Sequence, residues 1–199
     1  MTHTSSIPII HACVLAAGTS SRFGATKLIQ IFRDLPLVQH ALLAAQGVCK
    51  DRVTLIVGYD ADAVVVASAR LANSVVLNTK FEKGMGTSIA AATDACRQNA
   101  DAILIMLADQ PLISAQHLTI LMTAWSGSDN EIVASEYDGT MGPPILFPRN
   151  AYDRLRGLDG ESGAKELLQD GQFDVRSIEL PLAGYDVDTR QDLDLLDQS

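Results

Sequence analysis

Short runs of β-branched and aliphatic residues alternate along this chain with longer stretches whose apolar positions recur three and four residues apart. The runs 9–15, 53–57, 74–77, 102–107, 131–134 and 175–180 have the length and composition of buried strands. The stretches 36–48, 60–72, 86–99, 114–125, 161–170 and 189–198 carry a helical period. Pro36 suits a first helical turn, Asp60 and Asp62 suit the positive end of a helix dipole, and Thr87 and Ser114 are candidate N-caps. Strand, helix, strand, helix predicts an α/β protein in three layers, Rossmann-like, with a mostly parallel sheet covered on both faces. With no repeat, low-complexity segment or linker, residues 1–199 read as a single domain.

Composition narrows what such a fold can meet. The chain has 199 residues, 47% of them hydrophobic, and 24 acidic against 15 basic residues give a net charge of −9. An acidic surface of this kind repels nucleic acid and anionic membrane, so neither is an expected partner. Cys13, Cys49 and Cys96 are scattered and have no zinc-knuckle or CxxC spacing, which predicts buried thiols in a reducing, cytoplasmic setting. The N-terminal residues MTHTSSIPII lack the basic and apolar regions of a signal peptide, and no apolar run is long enough to span a bilayer.

Ligands of open parallel sheets bind beyond the carboxyl ends of the strands, so the residues after each run carry the candidate chemistry. The first is followed by Gly18-Thr19-Ser20-Ser21-Arg22-Phe23-Gly24-Ala25-Thr26-Lys27. Small residues let backbone amides approach an anion, Arg22 offers a planar fork and Lys27 a mobile charge. The spacing is neither GxxxxGK[ST] nor GxGxxG. An ordinary loop with two solvated cations is the plainer reading. LADQP follows the fourth run, and YDVDT lies near the C-terminus. Asp109 could be a turn residue and Asp188 with Thr189 a helix start; alternatively, separated aspartates beside a phosphate loop can hold magnesium. In an extended YDVDT, Asp186 and Asp188 share a face opposite Val187. KGMGTSIAAA, 83–92, presents Gly84 and Gly86 at a helix start but has Ile89 where a third dinucleotide-binding glycine belongs, so it is either a tight turn or a nucleotide contact. GPPILF, 142–147, and DGESGAKELL, 159–168, are rigid or charged segments that could equally be solvated loops. His3, His11, His40 and His117 form no metal-ligand pattern and supply no evident base.

The stretch LAAGTSSRFGATK, 15–27, resembles the LAAGxSxRxGxxK signature of the MobA-like nucleotidyltransferases that attach a nucleotide to molybdopterin. GMGTSIAAA, LADQPLI, GPPILF, GESGAKELL and DVDTRQDL follow in that family's order. The resemblance is to a molybdenum cofactor cytidylyltransferase and implies the fold of nucleotide-diphospho-sugar transferases. It further implies transfer of CMP from CTP to the terminal phosphate of molybdopterin, with release of pyrophosphate. By the same resemblance Gly18, Arg22 and Lys27 hold the triphosphate, and Arg22, Lys27 and Asp109 are catalytic. Leu15, Ala16, Ala17, Gly84, Met85, Gly86 and Ser88 line the nucleotide, and Asp109 and Asp188 hold Mg2+. LAAG accompanies CTP in that family and LAGG accompanies GTP; the Ala17 methyl would narrow the room beside the base. A molybdenum hydroxylase apo-enzyme or its chaperone is the implied partner. Two segments depart from the family pattern: Pro143 stands where His or Asn is common, and 160–165 read Gly-Glu-Ser-Gly-Ala-Lys in place of GDxGAR. The acceptor therefore stays open between molybdopterin and a sugar or polyol phosphate, and a non-catalytic cofactor carrier is the reading from another class.

Overall fold

The computed structural model describes residues 7–20, 23–160 and 164–197. In chain order its strands and α-helices are β1 (Ile10–Ala16), β2 (Ile31–Phe32), β3 (Leu35–Pro36), α1 (Leu37–Cys49), β4 (Val53–Val57), α2 (Ala61–Ala67), β5 (Ser74–Leu77) and α3 (Met85–Cys96). There follow β6 (Ala102–Leu107), α4 (Ala115–Ala124), β7 (Glu131–Tyr137), β8 (Thr140–Pro148), α5 (Tyr152–Arg156), α6 (Lys165–Gln169), β9 (Asp174–Glu179) and α7 (Arg190–Asp197). The main sheet runs β5-β4-β1-β6-β8-β7-β9, and β2 and β3 form a small hairpin apart from it. The pairings β1–β4, β1–β6, β4–β5 and β7–β9 are parallel; only those of β8, with β6 and β7, are antiparallel. The expected three-layer α/β fold is present.

The central strands are mainly apolar because both of their faces are covered, and the exceptions, His11 in β1 and Thr54 in β4, hydrogen-bond to each other. In β1, Ala12, Val14 and Ala16 pack under α1 and α4, whereas Cys13 and Leu15 point into the layer of α3, α5 and α6. In β6, Leu104 and Met106 face the first layer and Ile103 and Ile105 the second. All three cysteines are buried free thiols, as expected, with Cys13 Sγ 3.4 Å from Cys96 Sγ.

Four boundaries differ from the sequence reading. The segment 140–148, read around GPPILF as rigid backbone or loop, is strand β8. Its prolines fall where the ladder to β7 slips, between Ala134 and Ser135, so the missing N–H groups interrupt no regular pairing. Asp138 and Gly139, at φ of 50° and 70°, close the β7–β8 hairpin, which extends β7 past Ala134. Helix α2 stops at Ala67, because Ala69 and Arg70 take positive φ. Thr87 does not cap α3: Gly84, at φ 119°, does, and the Thr87 hydroxyl turns back to the carbonyls of Lys80 and Gly84. Ser114 does cap α4, in a reciprocal box with His117. No helix among the described residues is long and apolar enough to cross a membrane.

Candidate active site

The chain leaves β1 for β4 and β5 on one side and then returns to β6 on the other, so the strand order reverses between β1 and β6. Beyond the carboxyl ends of those two strands lies the crevice that open α/β sheets use for ligands. Three adjoining cavities occupy it. The smallest, about 190 Å³, is lined by Leu15, Ala16, Gly18, Thr19, Ser20, Lys27, Leu28, Asp109 and Asp188. The second, about 430 Å³, shares Leu15, Gly18, Thr19 and Asp109 with it and extends to Ala17, Phe81, Gly84, Met85 and Ser88. The third, about 440 Å³, shares Met85 and Leu107 with the second and runs along β8 under Pro143, Ile145 and Phe147.

The first cavity is built around a charge cluster. Lys27 Nζ donates to Asp109 Oδ2 at 2.7 Å and to Asp188 Oδ1 at 3.1 Å, with the lysine side chain only 11% exposed. Burial alone would lower the lysine pKa, but Asp109 first and Asp188 second outweigh it, and the value is raised above that of an ordinary lysine. The ammonium is therefore charged across the physiological range. Asp109 is placed by the turn after β6, where its carbonyl accepts from Val187 N at 3.0 Å and so ties β6 to the C-terminal segment. Helix α7 is capped by Thr189 and Asp192: the Asp192 carboxylate accepts from the amides of Asp188 and Thr189, and Thr189 Oγ1 accepts from Asp192 N. The Asp188 side chain is thus not the cap and reaches Lys27 instead.

The extended YDVDT segment buries Val187 and directs its two aspartates to different cavities, Asp188 to the first and Asp186 to the third. Burial and then the nearby Asp109 carboxylate raise the Asp186 pKa to about 6. Gln110, buried after Asp109, donates Nε2 to the carbonyls of Pro143 and Ala183, at 3.2 and 2.7 Å. It joins the turn after β6 to β8 and to the approach to Asp186.

At the second cavity the wall is made by close packing. A Cβ on Gly58 would lie 2.7 Å from Phe81 Cβ and 2.8 Å from Ala17 Cβ, so only glycine lets these two wall residues meet. Asn78, at the end of β5, receives Lys80 N on Oδ1 and donates Nδ2 to the hydroxyls of Thr87 and Ser88. It fastens the 80–88 turn to the sheet. Gly86 does not border the cavity; it is buried against Gly160, whose carbonyl it meets at 3.0 Å through its own N–H, and a Cβ there would collide.

Of the residues singled out from sequence, Leu15, Ala16, Ala17, Gly18, Lys27, Gly84, Met85, Ser88, Asp109 and Asp188 all border the first two cavities. Gly86 is the exception, and Arg22 lies outside the described residues, as do Glu161, Ser162 and Gly163. Gly58, Asn78, Phe81 and Gln110 were not anticipated. Gly58 and Asn78 directly follow β4 and β5, so the rule that led to Gly18 and Asp109 would also have found them. Among the described residues no group of three or more His, Cys, Asp or Glu side chains is arranged to hold a metal. The three described histidines are engaged structurally, His11 with Thr54, His40 with the Phe32 carbonyl and His117 in the α4 cap.

A family model described as the MobA-like NTP transferase domain matches residues 12–176. The purine catabolism protein PucB of Bacillus subtilis is 34% identical over 119 residues, 58% of this chain and 57% of PucB. The bifunctional protein GlmU of Brucella anthropi is 37% identical over 157 residues, 77% of this chain but 34% of that protein. The chain thus spans well under two thirds of the length of these relatives. Among solved structures, Rv0371c of Mycobacterium tuberculosis superposes with a TM-score of 0.83 at 29% identity, covering 98% of this chain and 100% of the other. A manganese complex of Rv0371c superposes with a TM-score of 0.77 at 27% identity, over 96% and 98% of the two chains. The architecture is that of nucleotide-diphospho-sugar transferases, shared also with more distant structures.

Proposed function

The chain belongs to the MobA-like NTP transferase family and is a nucleotidyltransferase, and from that premise we propose that it transfers CMP from CTP to the terminal phosphate of molybdopterin. The observation that carries the reading is the Lys27 ammonium held between Asp109 and Asp188 in the lining of a cavity that Gly18 and small neighbours also line. We propose further that residues 1–199 act as one nucleotidyltransferase domain, since a single sheet presents every part of the cleft.

In this reading the first cavity takes the triphosphate, with backbone amides of the loop after β1 and the charge of Lys27 facing its oxygens; Arg22 belongs to the same loop. The second takes the cytidine, against Ala17, Phe81, Gly84 and Ser88. The third takes the body of the acceptor. Its lining is mainly aliphatic and aromatic, with Tyr137, Thr140, Lys165 and Asp186 as the polar groups, which suits a ring system better than a polyhydroxylated sugar.

Divalent magnesium fits the residues present. Asp109 and Asp188 offer hard oxygen donors from two sides of one cavity, and magnesium characteristically takes one or two carboxylates and completes its shell with phosphate oxygens and water. When bound it would supply positive charge to the phosphate oxygens. The manganese complex of Rv0371c supports a divalent ion in this fold.

The acceptor's terminal phosphate is already ionised near neutral pH, so its oxygen needs no strong base to attack the α-phosphorus in line as pyrophosphate leaves. Catalysis then rests on alignment and on neutralising charge. Lys27 stands where charge builds on the α-phosphate and leaving group, and its pairing with two carboxylates keeps it protonated. The same buried charge cluster argues against a mere carrier, which has no need of a cation held between two acids. The test is release of pyrophosphate by the purified protein, screened over the four nucleoside triphosphates against molybdopterin and a panel of sugar and polyol phosphates. Release only with CTP and molybdopterin is the expected result; release with a sugar phosphate instead would reassign the acceptor, and no release with any pair would favour the carrier.

A further inference from the structure

We infer that Asn78 is a positioning residue that fixes the Ser88 hydroxyl as a hydrogen-bond donor into the nucleotide cavity, so that the site reads an acceptor atom on the nucleotide. The inference rests on the nucleotide reading of that cavity given above and adds the direction of one of its hydrogen bonds.

A serine hydroxyl can donate or accept, and its direction is set by its neighbours. Here they leave one choice. The Asn78 amide has a defined orientation, because Oδ1 accepts from the Lys80 backbone N–H at 2.9 Å, which only an oxygen can do. Nδ2 is therefore the donor to Thr87 Oγ1, at 2.9 Å, and to Ser88 Oγ, at 3.0 Å. Thr87 passes its own proton to the carbonyls of Gly84 and Lys80, at 2.9 and 3.0 Å. Ser88 Oγ has already accepted, and it makes no other hydrogen bond among the described residues. Ser88 borders the second cavity beside Gly84 and Met85. Its proton thus points where a nucleotide would lie. Asn78 is only 5% exposed and does not border the cavity, so it acts through Ser88 and not by contact.

Asn78→Asp keeps the shape and the bond from Lys80 N but replaces the donating amide by an oxygen that accepts. The Ser88 proton then turns inward and a lone pair faces the nucleotide. Asn78→Ala deletes all three bonds yet leaves the Ser88 hydroxyl free to rotate and donate. A structural role alone ranks alanine as the more harmful change; the directional role ranks aspartate so.

The experiment measures equilibrium binding of CTP, GTP, ATP and UTP with Mg2+ to the parent, and then of the tightest nucleotide to the variants, with melting temperatures alongside. We expect Asn78→Asp and Ser88→Ala each to weaken binding about tenfold, the scale of one lost hydrogen bond. We expect Asn78→Ala to weaken it less than Asn78→Asp while melting lower. In the Ser88→Ala background Asn78→Asp should add nothing, whereas mere repulsion between a new carboxylate and the triphosphate would persist there. Binding weakened as much by alanine as by aspartate, or a further loss in the double variant, overturns the inference. Should Asn78→Asp fail to fold, Ser88→Ala still decides: binding within twofold of the parent overturns it. A parent that prefers GTP refutes the cytidine reading alone, because the variants are then compared on GTP.

Discussion

Replacing Lys27 by methionine removes the charge between Asp109 and Asp188 while keeping length and most of the packing. Both carboxylates touch the same ammonium, at 2.7 and 3.1 Å, so their oxygens stand within about 6 Å of each other. Their mutual repulsion exists in the parent too; what the substitution removes is the attraction of the ammonium for both, and breaking a largely buried ion pair typically costs about 3–5 kcal/mol. The Asp109 and Asp188 side chains are 21% and 35% exposed, so solvent reduces this to about 2 kcal/mol. For a chain of this size that is a fall in melting temperature of roughly 4–8 °C in metal-free buffer at pH 7.5. A divalent cation should restore it: bound without competition from the ammonium, it raises the melting temperature of Lys27→Met more than that of the parent, by about 2.7 kcal/mol at a hundredfold excess over its dissociation constant. The assay is a thermal melt with chelator, then with graded Mn2+ or Mg2+. A variant that melts with the parent in chelator, or that gains no more than the parent from the cation, would refute the picture of one ammonium neutralising two acids that can also hold a metal.

In turnover, Lys27→Ala should slow the single-turnover rate by about 2.7–4 kcal/mol of barrier and change nucleotide affinity much less; a rate within twofold of the parent would make Lys27 a structural charge only. Asp109→Asn and Asp188→Asn should each raise the Mg2+ concentration for half-maximal activity, and the double variant should show less than the sum, because both act on one ion. Asp186, with its pKa raised to about 6, is costly when ionised: between the unfolded value near 3.8 and about 6 the native state holds the extra proton, and stability falls as pH rises through that window. Asp186→Asn should therefore raise the melting temperature at pH 7.5, by an amount equivalent to about 1 kcal/mol after allowance for solvent, and change it little at pH 3.5. Gly58→Ala should cost about 1–3 kcal/mol of stability and weaken nucleotide binding, since Ala17 and Phe81 must part to admit the methyl group; adding Ala17→Gly should recover a portion of both, and its failure to do so would mean that Phe81 alone is displaced.

The parallel half of this molecule is readable in sequence because its signals are local. Strands β1, β4 and β6 are short runs covered on both faces and β5 is a short, largely exposed edge strand, and each is followed closely by a residue that borders or supports the cleft: Gly18 after β1, Gly58 after β4, Asn78 after β5, Asp109 shortly after β6. Only two of those four were identified, because Gly58 and Asn78 carry no charge and no motif draws attention to them. Gly86 misled for the converse reason. It sits inside a glycine-rich motif, but its missing side chain makes room for Gly160 across the fold, a contact that spacing along the chain does not reveal. The N-cap assigned to Thr87 failed similarly, since the hydroxyl is committed to the turn that holds Ser88.

The antiparallel half hides its part of the site for a deeper reason. Strand β8 contains two adjacent prolines, which argue against a strand, and it becomes one because the ladder to β7 slips at that place. It is tied to the turn after β6 by Gln110, whose amide reaches carbonyls in β8 and before Asp186, far away in sequence. Such ties leave no periodic trace. The consequence is functional. In the proposed reading, the features that would meet the nucleotide are mostly backbone and small residues, which many chains can share. The third cavity is made largely from individual side chains of β7, β8 and α6, with α3, β6 and Asp186 completing it, and in the proposed reading the acceptor would be chosen there. Within that cavity Lys165 and Asp186 are the charged groups, and exchange of either should shift the preference among phosphorylated acceptors while leaving the nucleotide preference in place. A changed CTP to GTP ratio in Lys165→Met would contradict this division of the cleft, because Lys165 lines the cavity along β8 and is not among the residues lining the first two.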